Sequence, residues 1–258
     1  TILLELIINI PILIIIYKRS RTILNTVYWK FILSFTIPLI PHYLSMQILS
    51  QSDRIMIGRL CDKSAEGIYG LAYSFSMMLN MVVNALNSSI TPYIYKGIKN
   101  NQHENIKKLT TYCVMVLGLA DIVIICFLPN VFILFYPKEY SSAMNVIPVI
   151  AVTVYFLFLY PLFSTIEFYY EETKFVSLAS FISAVINIAL NYIFIPKYGF
   201  VAAGYTTLFC YILLAIFHFF VILYKFVYLY HVLVATEEIA ATIQLAGILE
   251  AAFLHHST

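Results

Sequence analysis

Six stretches of this chain are so long and so free of charge that they dictate its architecture. Residues 31–52, 67–95, 140–166, 175–196 and 198–224 contain no Asp, Glu, Lys or Arg, and residues 109–137 contain only Asp121. Each reaches the roughly 20 residues that an α-helix needs to cross about 30 Å of hydrocarbon. Barrel strands would be about ten residues long, with apolar and polar side chains alternating. Composition agrees: charged residues are 11%, hydrophobic residues 62%, and the mean hydropathy is +0.89. A soluble domain could not hide that much apolar surface, since even a 300-residue fold leaves about a quarter of its chain area exposed. Soluble enzymes, secreted disulfide scaffolds, coiled coils and disordered linkers are thereby excluded. A net charge of +2, with no Lys/Arg run longer than a pair, offers no footprint for nucleic acid. The expected fold class is an all-α, polytopic transmembrane helix bundle.

Around the six runs, the apolar residues 2–16 lack a basic leader and a small-residue cleavage site, so they read as the end of a further helix rather than a signal peptide. With Thr1 in first position, the chain is expected to begin inside a longer protein. Residues 17–30 form a basic linker, 31–224 a six-helix lobe, and 225–258 a tail or extra helix, Ala-richer and carrying Glu237, Glu238 and Glu250. Counted by alternate loops, ten Lys/Arg fall on one side (Lys18 to Lys30, Lys96 to Lys108, Lys174, Lys225) and five on the other. The first side is assigned to the cytoplasm. Pro196 is expected to stop one helix, and Gly199 to supply a positive φ before the next. Cys61, Cys113, Cys126 and Cys210 show neither metal-ligand spacing nor a disulfide framework.

Polar groups inside hydrocarbon are costly unless they meet a partner or water, so they mark where function can lie. Ser76, Asn80, Asn84 and Asn87 recur at spacings of four, four and three, with Tyr73 on the same face. Such a stripe can line a pathway that hydrogen-bonds hydroxyl groups, or it can bond to another helix. Ser34, Pro38, His42 and Ser45 form a second face, on a helix that Pro38 and Pro41 should kink. His42 is there a hydrogen-bonding packer or a proton carrier. Ser177, Ser180, Ser183, Asn187 and Asn191 form a third face, read as close helix packing with Asn187 and Asn191 the members nearest solvent. Asp121, near the middle of its run, needs a partner, water or a proton, and is a candidate for coupling-ion or substrate contact. Asp53 and Arg54 are placed just past the end of the kinked helix, holding a helix end or a lobe contact. Arg54 or Arg59 could also clasp a phosphate.

The run Ser52-Asp53-Arg54-Ile55-Met56-Ile57-Gly58, then Gly67-Ile68-Tyr69, Ala72-Tyr73 and Pro92 before Lys96, resembles the opening of the second lobe in Wzx-type polysaccharide flippases. So does Asn187-Ile188-Ala189-Leu190-Asn191-Tyr192-Ile193-Phe194-Ile195-Pro196-Lys197-Tyr198-Gly199, continuing into Ala202-Ala203-Gly204. These proteins belong to the multidrug/oligosaccharidyl-lipid/polysaccharide superfamily, with the MATE exporters. The resemblance, over residues 31–224, implies the second six-helix lobe of a MATE-like flippase plus the end of the preceding helix. It implies a bacterial inner-membrane protein that moves undecaprenyl-diphosphate-linked oligosaccharide repeats for O-antigen, capsule or exopolysaccharide. Its partners would be that lipid-linked oligosaccharide, membrane lipids and a polysaccharide polymerase. The first lobe is missing from this sequence, so a truncated chain is expected. A sugar chain sheds its water partners on entering lipid, and amides, hydroxyls and tyrosines replace them. No bond is broken, so no catalytic group or cofactor is expected; with no GK[ST] phosphate loop, the drive would be a proton or sodium gradient, or product removal. The alternatives are a MATE-like ion-coupled drug exporter, with Asp121 as its acidic site, and a membrane-embedded polysaccharide polymerase. The latter would need a longer outer loop than residues 53–66 provide.

Overall fold

The computed structural model describes residues 2–19 and 26–225, and within these the fold is entirely helical. The chain forms two compact units, Thr1–Pro38 and Leu39–Thr258. The first contains α1 (Ile2–Arg19, with Pro11 inside it) and α2 (Thr26–Thr36). Lys18 and Arg19 therefore end a helix and Lys30 lies within one. The second contains α3 (Leu39–Leu60), α4 (Lys63–Lys99), α5 (His103–Phe135), a 3-10 segment (Lys138–Asn145), α6 (Ile147–Tyr169), α7 (Thr173–Tyr198) and α8 (Phe200–Lys225). The expected tail, beyond Lys225, lies outside the described residues.

Three boundaries differ from the sequence reading, each for a local reason. The run 31–52 is not one kinked helix: Ile37 closes α2 by donating to the Leu33 carbonyl at 2.9 Å, and α3 starts after Pro38. A proline removes its own donor and disfavours helical backbone in the residue before it, so the ladder stops there. Pro41 sits in the first turn of α3, where no intrahelical donor is required. The run 140–166 begins in the 3-10 segment, so the α-helix starts only at Ile147. Pro196 does not end α7; the helix continues to Tyr198 and turns at Gly199, φ +71°, whose N–H caps the Ile195 carbonyl at 2.8 Å.

In the second unit α6 is the central helix, packed by α4, α5 and α8, while α3 packs on α7 and α7 on α8. Its apolar residues are buried on all sides, including Ile147, Ile150, Phe158 and Ile166, the pattern of a helix wrapped by others. Among the described residues, five segments are long and apolar enough to cross a membrane: Thr26–Leu60, His103–Leu128, Ile147–Tyr169, Thr173–Tyr198 and Phe200–Tyr224. α4 has 37 residues but is not among them. Its serines and asparagines lower its hydropathy without adding charge. Consecutive helices run up and down, so one end of the bundle collects the start of α3, α5 and α7 and the close of α4, α6 and α8. We call this the basic end, after Lys96, Lys99, Lys107, Lys108 and Lys174.

Candidate functional site

Near the end opposite the basic one, four helices converge on Asp53. It is not at a helix end, as its charge suggested, but inside α3 and only 1% exposed. Its Oδ2 accepts hydrogen bonds from Tyr69 Oη (α4, 2.8 Å) and Thr207 Oγ1 (α8, 2.5 Å), and its Oδ1 from Asn191 Nδ2 (α7, 2.7 Å). The network extends further: Asn187 Oδ1 accepts from Ser52 Oγ at 2.9 Å and from Asn191 Nδ2 at 3.1 Å. Asn187 Nδ2 donates to Thr207 Oγ1 at 3.1 Å, and Thr206 Oγ1 donates to Asn191 Oδ1. Asn187 and Asn191 are each 0% exposed. Their expected nearness to solvent is thus corrected: being opposite Asp53, they turn inward to satisfy a carboxylate. A buried carboxyl group surrounded by three donors is the arrangement that makes its burial tolerable.

Arg54, the next residue, makes no ion pair with Asp53. Its guanidinium lies 4.7 Å from the centroid of the Tyr73 ring, in cation–π geometry. Arg54 Nε is buried without a hydrogen-bond partner among the described residues, and so is Ser76 Oγ, one turn along α4 from Tyr73. Arg59 is exposed in the last turn of α3.

Beyond Ser76 the α4 stripe comes to the surface of the chain. Asn84 is exposed and Asn80 and Asn87 are half-buried. None of the three amides hydrogen-bonds to a described residue, and Asn87 Oδ1 is buried without a partner. Asp121 is half-buried on the face of α5 that also carries Thr110, Val114 and Leu117.

At the basic end a second constellation appears. His42 is buried, its Nδ1 2.6 Å from Ser180 Oγ, with its ring edge-on to Phe168. Close by, Glu167 of α6 and His218 of α8, both 0% exposed, meet at 2.7 Å between Oε1 and Nδ1. The Tyr160 ring stacks on the imidazole, centroids 6.0 Å apart. Sequence reading missed this pair. Glu167 follows the run 140–166 directly and was taken as its boundary, while a histidine does not interrupt a charge-free run. The available signal was His218 itself, the sole histidine within 198–224. Among the described residues no group of three or more His, Cys, Asp or Glu could hold a metal ion.

Known proteins resemble this chain in sequence and in fold. Residues 1–98 match the family model described as "Polysaccharide biosynthesis protein". That stretch holds the Asp53-Arg54, Gly67-Ile68-Tyr69 and Pro92 features, but not the Asn187–Gly199 block. The chain is 22% identical over 161 residues to "Lsg locus putative protein 1" of Haemophilus influenzae, covering 62% of this chain and 40% of that protein. Among solved structures it is similar to a multidrug resistance MATE family transporter of the MOP superfamily in its outward-facing conformation. The TM-score is 0.62 at 18% identity, over 82% of this chain and 49% of that one. It is also similar to a MOP superfamily transporter from Pyrococcus furiosus, with a TM-score of 0.61 at 17% identity, over 84% and 50%. The chain thus spans half or less of the length of these relatives. The solved structures show the fold: an all-helical, multi-pass membrane bundle of the MATE type. Its likeness in sequence is to polysaccharide-biosynthesis proteins, over residues 1–98, and its likeness in fold is to MATE-type transporters.

Proposed function

We propose that this chain is one lobe of a flippase that carries undecaprenyl-diphosphate-linked oligosaccharide repeats across a bacterial inner membrane for surface polysaccharide synthesis. The observation that carries the reading is the α4 stripe: Asn80, Asn84 and Asn87 present amides that no described residue engages. In hydrocarbon such groups cost free energy unless something polar meets them. Sugar hydroxyls can both donate to and accept from an amide, so a moving oligosaccharide can exchange partners along the stripe. Arg54, whose guanidinium lies over the Tyr73 ring and whose Nε has no partner among the described residues, supports a role in meeting the diphosphate once that region opens. The polyprenyl tail needs no polar contact and can remain in lipid. Asp121 and His42 are the candidates within this lobe for contact with a coupling proton or sodium ion.

The test is complementation. The gene encoding this chain, with whatever coding sequence flanks residues 1–258, is expressed in a bacterium whose own repeat-unit flippase is deleted. Surface polymer and the lipid-linked intermediate are then measured together. Restored polymer, lost again in Asn84→Leu and Arg54→Ala at normal membrane levels, supports the reading. An undiminished cytoplasmic-leaflet intermediate, together with new resistance to cationic drugs, would replace it with the exporter.

A further inference from the structure

From the Glu167–His218 pair we infer a proton-binding site at the basic end of the lobe, whose loading is tied to closure of the α6–α8 seam. The inference rests on the transporter fold and not on the identity of the substrate. Two groups, each 0% exposed, share one hydrogen bond of 2.7 Å. Each keeps a second polar atom, Glu167 Oε2 and His218 Nε2, with no partner among the described residues. A pair serving structure alone would be expected to use those atoms, as every oxygen of Asp53 is used.

Proton counting gives the consequence. With one proton between carboxyl and imidazole beyond the imidazole's own, the pair is net neutral, whether as acid with imidazole or as carboxylate with imidazolium. Loss of that proton leaves a carboxylate facing a neutral imidazole, net charge −1, inside a seam of Tyr160, Leu214 and Ala215. An uncompensated buried charge is costly, so the sealed arrangement favours the loaded pair. Release is favoured only when water reaches Oε2 and Nε2, which requires α6 and α8 to part. Proton release and opening are thus two faces of one equilibrium.

Other titratable groups lie near the pair. Glu167 is two residues from the end of α6, and half-buried Glu172, in the turn before α7, is near enough for its charge to act on Glu167. From α3, His42 is near enough to feel the charge of His218. From α4, Tyr95 packs its ring on Tyr169 at the same end of α6. Among the described residues no charged group of α4, α5 or α7 forms an ion pair with either member.

The test reads the seam rather than transport. Ala215→Cys is placed one turn before His218, on the same face of α8, in the full protein with Cys61, Cys113, Cys126 and Cys210 replaced by Ser or Ala. Labelling by a water-soluble maleimide is followed in native membrane vesicles across pH. It is normalised to an unstructured thiol in the same buffers and compared with the Glu167→Gln background. The inference expects normalised labelling to rise with pH, at most about tenfold per unit as for a single proton, and to stay low and flat in Glu167→Gln. Normalised labelling that ignores pH overturns it, and that result does not depend on Glu167→Gln having folded, provided the Ala215→Cys protein keeps the parent's membrane level and transport. A pH-dependent rise that persists unchanged in Glu167→Gln overturns it as well. Because no substrate is used, a pH-gated seam alongside failed complementation would retire the flippase and keep the proton site.

Discussion

Asp53 and Glu167 are both carboxyl groups shut inside the same bundle, 1% and 0% exposed, towards opposite ends of it. Asp53 receives three hydrogen bonds, from α4, α7 and α8, and the amides behind it are themselves bonded to neighbours. Glu167 has one bond, to His218, and both members keep an atom in reserve. The first arrangement ties four helices together and leaves neither carboxyl oxygen without a donor. The second is satisfied only in part, so water or a proton can improve it. Burial of a charged residue therefore does not by itself mark function; what separates the two regions is whether the buried group's hydrogen-bonding capacity is filled.

Substitutions can break this contrast. Asp53→Leu strands the Tyr69, Thr207 and Asn191 donors together and should cost on the order of 3–5 kcal/mol, read as thermal unfolding in detergent; an unchanged unfolding temperature would mean that the network holds nothing. At the other end, Glu167→Leu leaves His218 unpaired and should cost roughly 2–4 kcal/mol, yet Glu167→Leu with His218→Leu should return to within about 1 kcal/mol of the parent. A double variant worse than either single would show the pair to be structural glue like Asp53.

Smaller effects sharpen the picture further. Asp62 accepts the Ala65 N–H at 2.7 Å and caps α4, so Asp62→Ala should cost about 1 kcal/mol while Asp62→Asn costs little. Its neighbour Cys61 has a thiol pushed up first by partial burial and then by the Asp62 charge. A raised thiol is less ionised at neutral pH, so Asp62→Asn should quicken alkylation of Cys61, and an unaltered rate would remove the Asp62 contribution. Asn84→Leu, on an exposed and unpartnered position, should move stability by less than about 0.5 kcal/mol while abolishing transport in the complementation assay.

The helices themselves were legible because charge is excluded from hydrocarbon, so gaps between charged residues measure spans. The same rule misled at the two most informative residues. Asp53 and Glu167 were each taken as the edge of a span, and both belong inside the protein, since a carboxylate with partners is admitted where a lone one is not. Those partners come from residues as far as 154 positions away in the chain, which no local pattern reports. Asn187 and Asn191 were found as a face by periodicity, but periodicity says which residues point together and not towards what. The α4 stripe has similar spacing and the opposite environment, because none of the described helices of its own unit covers it. The break at Pro38 was legible as a disturbance; whether it bends or ends the helix depended on the next turn finding its own partners against α7.

The most direct measurement of this account compares the two asparagine faces in one experiment. Single cysteines replace Asn80, Asn84 and Asn87 on α4, and Asn187 and Asn191 on α7, in the full protein with its native cysteines removed, Cys61, Cys113, Cys126 and Cys210 among them. Each is exposed in intact membranes to a small, water-soluble thiol reagent. The account predicts reaction at the α4 positions, fastest at residue 84, and protection at 187 and 191. Protection along all of α4, or reaction at 187, would contradict it.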